Sequence, residues 1–143
     1  MTLIDANLLL FACNPRAAEH GASRRWLEAT LSGPGLVRFA WITLWAFLRI
    51  STNPRVFERP LSMPEAEDIV SSWREQPVVG ILEPEERHWE ILRTLTRVGK
   101  TRGPLVMDAV LAAIAIEHGA TLYTTDRDFA RFPGLSWIDP LRR

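Results

Sequence analysis

Residues 106–129 read VMDAVLAAIAIEHGATLYTTDRDF, and this stretch decides the fold class. Its almost entirely apolar first half predicts a buried helix from Pro104 or Val106 to Glu117, with Gly119 as its C-terminal stop. A short apolar strand is predicted over Thr121 to Thr124, followed by an aspartate-rich turn. An apolar helix that leads directly into an apolar strand is typical of α/β proteins.

The rest of the chain repeats this alternation of strands and helices. The predicted strands cover residues 2–4, 36–40, 78–82, 121–124 and, as a possible fifth, 135–138, and the remaining predicted helices cover residues 7–12, 17–31, 43–51, 64–75 and 84–98. We therefore predict one α/β domain over residues 1–143, with three α/β/α layers around a central parallel sheet of four to five strands. In such sheets ligands bind beyond the carboxyl ends of the strands.

The composition is that of a folded globular protein. Hydrophobic residues make up 47% of the 143 residues and charged residues 24%, which argues against disorder. No apolar run reaches the roughly 18 residues of a membrane span, and the N-terminus does not resemble a signal peptide. The single cysteine, Cys13, is compatible with a reducing compartment. We expect a cytoplasmic protein that does not enter the membrane.

Carboxylates fall at one predicted edge of the sheet. Asp5 directly follows the first strand, and Asp126 and Asp128 follow the fourth. Asp108 is the only charged residue between positions 104 and 116, and a buried lone carboxylate is costly unless it is paired or metal-bound. Hard oxygen ligands suit Mg²⁺ or Mn²⁺, and such an ion can activate water and stabilise a phosphodiester transition state. This pattern predicts a metal site.

Each of these residues also has a purely structural explanation. Asp108 can serve as the anion at a helix N-terminus, and Asp5 can cap the following helix. Asp126 and Asp128 suit a turn. Asn7 either orients water or a carboxylate, or is simply the first residue of its helix. Only the coincidence of all these positions at one sheet edge favours a functional site.

Three segments together resemble a known family. They are LIDAN at residues 3–7, the helix and turn from Met107 to Ala120, and TTDRDF at residues 124–129. These segments closely resemble the PIN-domain ribonucleases, and more narrowly the VapC-type toxins of bacterial type II toxin–antitoxin pairs. The resemblance covers nearly the whole chain, including RISTNPR at residues 49–55.

The resemblance implies an activity, a cofactor and partners. It implies a Mg²⁺- or Mn²⁺-dependent endoribonuclease that cleaves RNA and is held inactive by a cognate VapB-like antitoxin. Asp5, Asp108 and Asp126 would be metal-site carboxylates, and Asp128 a fourth ligand or a supporting partner. We predict that the four aspartates and Asn7 are the catalytic residues. Homodimers and toxin–antitoxin hetero-oligomers are further implications.

One position departs from the family pattern. Many such toxins carry a glutamate in the helix after the second strand, and Ala46 occupies the corresponding position here. We expect activity to survive on the remaining aspartates. The alternative is a PIN-fold binding protein with weakened catalysis. A phosphatase resembling the haloacid dehalogenases is less favoured, because that chemistry needs an aspartate where Asn7 stands and a suitably placed lysine, and Lys100 is the only one.

Two further features bear on partners. Trp41, Trp45 and Phe47 form a candidate surface for an antitoxin or a second copy of the chain. The zero net charge, with 17 basic and 17 acidic residues, conceals a polarised chain. Residues 58–90 contain nine acids and three bases, a balance of −6, so the remainder carries +6. Neutrality overall therefore does not argue against an RNA substrate.

Overall fold

Five parallel strands form one sheet at the centre of the structure, a computed structural model that describes residues 1–142. The strands are β1 (Thr2–Ile4), β2 (Val37–Ala40), β3 (Val79–Leu82), β4 (Thr121–Tyr123) and β5 (Trp137–Ile138). Their order across the sheet is β3-β2-β1-β4-β5, and all four pairings are parallel. The predicted parallel α/β sheet, including its fifth strand, is confirmed.

Helices cover both faces of this sheet. They are α1 (Ala6–Ala12), α2 (His20–Ser32), α3 (Trp41–Ser51), α4 (Met63–Arg74), α5 (His88–Val98) and α6 (Leu105–His118), and a 3-10 helix spans Arg127–Arg131. Among the described residues 1–142, no helix is long and apolar enough to cross a membrane.

The three-layer arrangement follows from the alternation of side chains along the strands. In β1, Leu3 packs in a core with α5 and α6, whereas Ile4 packs in a second core with α1 to α4. Both side chains are fully buried, since successive residues of a strand point to opposite faces of the sheet. A central strand that is apolar on both faces is what a sheet between two helical layers requires.

Helix α6 is the most deeply buried helix, with six consecutive or near-consecutive side chains in the core between Ala109 and Ala115. It ends where the sequence predicts, because Gly119 adopts a left-handed conformation with φ 66° and ψ 28°. The backbone N–H of Ala120 then bonds to the carbonyl of Ala115, and the chain enters β4 directly. This short connection brings the aspartates after β4 to the edge of the sheet.

Helix α5 begins later than predicted, at His88 rather than at residue 84. The reason is a tertiary contact, because the carboxylate of Glu117 accepts hydrogen bonds from the backbone N–H groups of Glu85 (2.8 Å) and Arg87 (2.9 Å). These bonds hold the preceding segment in a turn. A glutamate so distant in sequence cannot be identified as a partner from local periodicity.

The three residues of the candidate aromatic surface differ in their exposure. Phe47 is fully buried and packs edge-on against Trp73, with ring centroids 4.9 Å apart, so its assignment to a surface was wrong. Its helix position faces the sheet, and hydrophobicity alone does not distinguish the two faces of an apolar helix. Trp41 is partly buried and Trp45 is 60% exposed. An antitoxin or dimer role for these two residues stays a prediction.

Candidate active site

The strand order creates a crevice between β1 and β4. From β1 the chain continues to β2 and β3 on one side, and it later returns to β4 and β5 on the other. Neighbouring strands whose connections leave in opposite directions open a gap at their carboxyl ends, which is where α/β proteins bind ligands. Asp5 directly follows β1, and Asp126 and Asp128 follow β4.

Asp5 is held at the start of α1 by three hydrogen bonds. Its Oδ1 accepts from the backbone N–H of Ala6 at 2.7 Å, and its Oδ2 accepts from Thr124 Oγ1 at 2.8 Å. Its own N–H donates to the carbonyl of Tyr123 at 3.0 Å, which ties it to β4. Burial raises the pKa of Asp5, although the hydrogen bonds from Thr124 and Ala6 favour the ionised form, and the negative charge of Asp126 raises it further.

The hydroxyl of Thr124 is the central contact of the site. Besides donating to Asp5, it accepts from Asn7 Nδ2 at 3.2 Å and from the backbone N–H of Asp126 at 3.0 Å. Thr124 is completely buried. From the sequence, Thr124 is predicted as the last residue of a strand and as part of the TTDRDF segment, without a role in the site. Its position two residues before Asp126, in the arrangement of a threonine turn, is the signal that could have identified it.

Asp126 and Asp128 have different surroundings. Asp126 is partly buried, and its Oδ1 accepts from the backbone N–H of Asp128 at 2.9 Å, which caps the 3-10 helix. Asp128 is exposed, and its Oδ1 lies 3.8 Å from Nη2 of Arg131. Asp126 therefore belongs to the inner group of carboxylates, and Asp128 lies on its outer side, partly neutralised by an arginine.

Asp108 lies in the first turn of α6 and faces the other aspartates. Its pKa is raised to about 6, first because burial disfavours the charged form and then because of the negative charges of Asp126, Asp5 and Asp128. The positive charge of Arg131 offsets only part of this effect. The aspartates from three separate segments are therefore close enough to repel one another.

Asn7 is turned towards the same group. Its Nδ2 donates to Thr124, whereas its buried Oδ1 has no hydrogen-bond partner in the described part of the chain. A buried amide oxygen without a partner is uncommon, because it loses its hydration and receives nothing in exchange. The oxygen is thus available to a donor that enters the site.

A cleft of about 740 Å³ opens beside these carboxylates. Two aspartates line it, Asp5 and Asp108, whereas Asn7, Asp126 and Asp128 do not. Two of the other lining residues, Arg49 and Thr43, are polar. The rest are apolar, and they are Ala6, Ile42, Trp45, Ala46, Pro104, Met107 and Leu111. Ala46 also lines the cleft. It occupies the position at which the family pattern predicts a glutamate.

The donor set fits a hard divalent cation in its chemistry. It consists of carboxylate oxygens that repel one another and an amide oxygen without a partner, which are ligands that Mg²⁺ and Mn²⁺ accept. Within residues 1–142, however, no three His, Cys, Asp or Glu side chains are close enough as they stand to hold a metal ion. Completing such a site would therefore require movement of these side chains, with water as further ligands.

Known proteins are similar to this chain in sequence and in fold. The family profile described as PIN domain matches residues 2–135. Ribonuclease VapC37 of Mycobacterium tuberculosis is 45% identical over 141 residues, which is 98% of this chain and 97% of that protein.

Solved structures extend the comparison of the fold. A toxin-antitoxin complex from Klebsiella pneumoniae contains a chain with a TM-score of 0.67 and 20% identity, with 98% of both chains covered. Mycobacterium tuberculosis VapC20, described as a sarcin-ricin loop cleaving toxin, has a TM-score of 0.65 and 19% identity, with 95% of this chain and 99% of that chain covered. The profile match and the close sequence relative place this chain in the PIN domain family and, within it, in the VapC group.

Proposed function

We propose that this protein is an endoribonuclease that cleaves phosphodiester bonds of RNA and acts as the toxin of a toxin–antitoxin pair. The observation that carries the proposal is the convergence of Asp5, Asp108 and Asp126 at the crevice between β1 and β4. Close similarity to a protein named ribonuclease VapC37 supports the same activity.

Residues of this chain position the carboxylates that would bind a cation and, with it, an anionic substrate. Thr124 fixes the direction of the Asp5 carboxylate through its hydrogen bond, and it positions the backbone before Asp126. The N-terminus of α6 places Asp108 opposite them. The negative charges of Asp126, Asp5 and Asp128 help to raise the pKa of Asp108, and a bound cation would offset this repulsion.

We further propose that Asp5, Asp108 and Asp126 hold Mg²⁺ or Mn²⁺, with Asp128 in a supporting position and Asn7 beside the site. When bound, such an ion activates water and stabilises the charge that develops on the phosphate. The unpartnered Oδ1 of Asn7 is suited to accept a hydrogen bond from a water molecule in the site.

A binding protein with weakened catalysis is the second candidate. Ala46 lines the cleft between the aspartates and contributes no carboxylate, so the site has one ligand fewer than the expected family pattern. On this alternative the fold would bind RNA or a partner without cleaving the substrate. The two candidates differ in one measurable property, which is metal-dependent turnover.

Mapping of cleavage sites on total RNA, with and without Mg²⁺, tests the proposal. We expect cleavage at a restricted set of sites by the wild type, and loss of cleavage in Asp108→Asn. Asp68→Asn removes an exposed carboxylate of α4 outside the site and is the matched control. The nuclease proposal fails if the wild type cleaves no RNA with Mg²⁺ or with Mn²⁺. It also fails if Asp108→Asn cleaves RNA as well as Asp68→Asn does.

We propose a VapB-like antitoxin as the partner and a homodimer as the basic assembly. The solved neighbour from a toxin-antitoxin complex supports such a partner. A small upstream reading frame, co-expressed with this chain, should give a complex that co-purifies and suppresses both cleavage and growth arrest. Sedimentation of the chain alone measures its oligomeric state, and a monomer at micromolar concentration would contradict the homodimer.

A further inference from the structure

One large aromatic side chain in the cleft has no role in the site described so far. Trp45 lies on α3, lines the same cleft as Asp5 and Asp108, and is 60% exposed. The other aromatic residues of this helix do not line the cleft, since Phe47 is fully buried and Trp41 is partly buried outside it. An exposed indole in the wall of a cleft presents a flat apolar surface to whatever enters it.

Trp45 belongs to a row of three stacked side chains, with Trp41 and Arg74 as the other two members. Its ring is stacked on that of Trp41, with centroids 6.5 Å apart and an interplanar angle of 21°. The guanidinium of Arg74, from α4, in turn lies over the ring of Trp41 at 4.9 Å. The three groups form a series of stacked planar groups, which limits the rotamers open to Trp45 and orders its ring before any ligand binds.

A cation lies one helical turn further along the same helix. Arg49 follows Trp45 by four residues and also lines the cleft. Within residues 1–142 no carboxylate lies within 4.0 Å of its guanidinium, although the cleft contains two aspartates. Arg49 can therefore bind an anionic group without first breaking an ion pair.

We propose that Trp45 stacks on a nucleobase of single-stranded RNA next to the cleaved bond, and that Arg49 binds a phosphate beside that base. The proposal rests on the ribonuclease function proposed above and makes the pair substrate-binding residues. Bases of single strands are free to stack on aromatic side chains, whereas those of a duplex are not. The combination of an aromatic platform, the guanidinium of Arg49 and a carboxylate centre in one cleft favours RNA over a protein segment.

Equilibrium binding in EDTA tests the stacking contact without cleavage. The probe is a fluorescein-labelled single-stranded RNA of about 12 nucleotides, of mixed sequence, measured by anisotropy. We expect Trp45→Ala and Trp45→Leu to weaken binding about tenfold, and Trp45→Phe to stay within about threefold of wild type. Trp89→Ala is the matched control, because Trp89 is equally exposed, at 63%, but does not line the cleft.

A double-mutant cycle separates stacking from general loss of affinity. Abasic nucleotides are placed one at a time along the probe. At one position the abasic site should weaken binding by the wild type and have little further effect on Trp45→Leu. Arg49→Gln should lower the dependence of log affinity on log salt by about one unit. Full additivity at every position of the probe, or equal affinities of Trp45→Leu and wild type, overturns the proposal.

The same protein preparations distinguish this inference from the proposed function. If the wild type cleaves RNA and Asp108→Asn does not, the proposed ribonuclease function is supported. That conclusion holds even when the Trp45 variants have the same affinity for RNA and the same KM as the wild type. If Trp45→Leu instead alters sedimentation or antitoxin binding while RNA affinity is unchanged, the aromatic surface is a protein interface and the RNA proposal is wrong. Trp45→Leu retains more apolar side-chain volume than Trp45→Ala, and it is the variant measured should the alanine variant fail to fold.

Discussion

Replacing Asp108 with asparagine should stabilise the metal-free protein at neutral pH while abolishing cleavage. The pKa of Asp108 is raised from 3.8 to about 6, by burial first and then by the neighbouring aspartates. The folded state therefore disfavours the ionised form of Asp108, which is the form that predominates at neutral pH. Asparagine has nearly the same shape and carries no charge, so the substitution removes this penalty.

The expected gain is about 1 kcal/mol. A rise of about 2 pKa units corresponds to about 3 kcal/mol if the group is shielded from water. Asp108 is only partly buried, and screening by solvent reduces that value to about 1 kcal/mol. For a chain of this length we expect the melting temperature to rise by about 3 °C.

The gain should depend on pH in a defined direction. Because the pKa of Asp108 is higher in the folded state, the folded protein binds more protons than the unfolded chain between about pH 4 and pH 6. The contribution of Asp108 to stability is therefore favourable at low pH and is lost as the pH rises through about 6. The difference between Asp108→Asn and wild type should be small near pH 4 and complete above pH 6.

Thermal denaturation in EDTA at a series of pH values measures this difference, with Asp68→Asn as the exposed control. Mg²⁺ should then raise the melting temperature of the wild type more than that of Asp108→Asn, because a ligand of the folded state stabilises it by mass action. A variant that is less stable than wild type at neutral pH in EDTA would refute the electrostatic argument. Equal stabilisation of both proteins by Mg²⁺ would refute the role of Asp108 as a ligand.

Three further substitutions test the supporting structure. Thr124→Val removes a buried hydroxyl that serves three polar groups and should cost about 2 kcal/mol of unfolding free energy, measured in urea, together with most of the activity. Ala46→Glu adds a carboxylate to the cleft, and should raise Mg²⁺ affinity about fivefold in titration calorimetry while lowering stability in EDTA. Gly119→Ala places a Cβ on a left-handed residue with φ 66° and should cost about 1 kcal/mol in the same urea experiment, with activity retained.

Conservative variants serve as controls for these substitutions. Thr124→Ser keeps the hydroxyl and should retain activity, and a valine variant as active as wild type would remove Thr124 from the site. Ala46→Gln matches the size of glutamate without its charge, so an equal gain in affinity from both would contradict the electrostatic reasoning. Gly119→Asn should cost less than alanine, since asparagine tolerates the left-handed region.

The sequence alone determined the fold class and the set of candidate carboxylates. Helical and strand periodicities are local properties, and Gly119 ends α6 for a reason carried by that one residue. Asp5 directly follows β1 and Asp126 comes shortly after β4, so their meeting at one edge needed only the assumption that the sheet is parallel. Asp108 stood out because it is a single charge in an apolar helix.

Only the tertiary structure decided how these residues are held and which neighbours complete the cleft. Thr124 and Asp5 are 119 positions apart and share a hydrogen bond of 2.8 Å. The carboxylate of Glu117 accepts a hydrogen bond from the backbone N–H of Glu85, which is 32 positions away. The burial of Phe47 and the exposure of Trp45 follow from the face of α3 that meets the sheet. Contacts across such separations depend on how elements pack, and packing also sets the burial and repulsion that raise the pKa of Asp108.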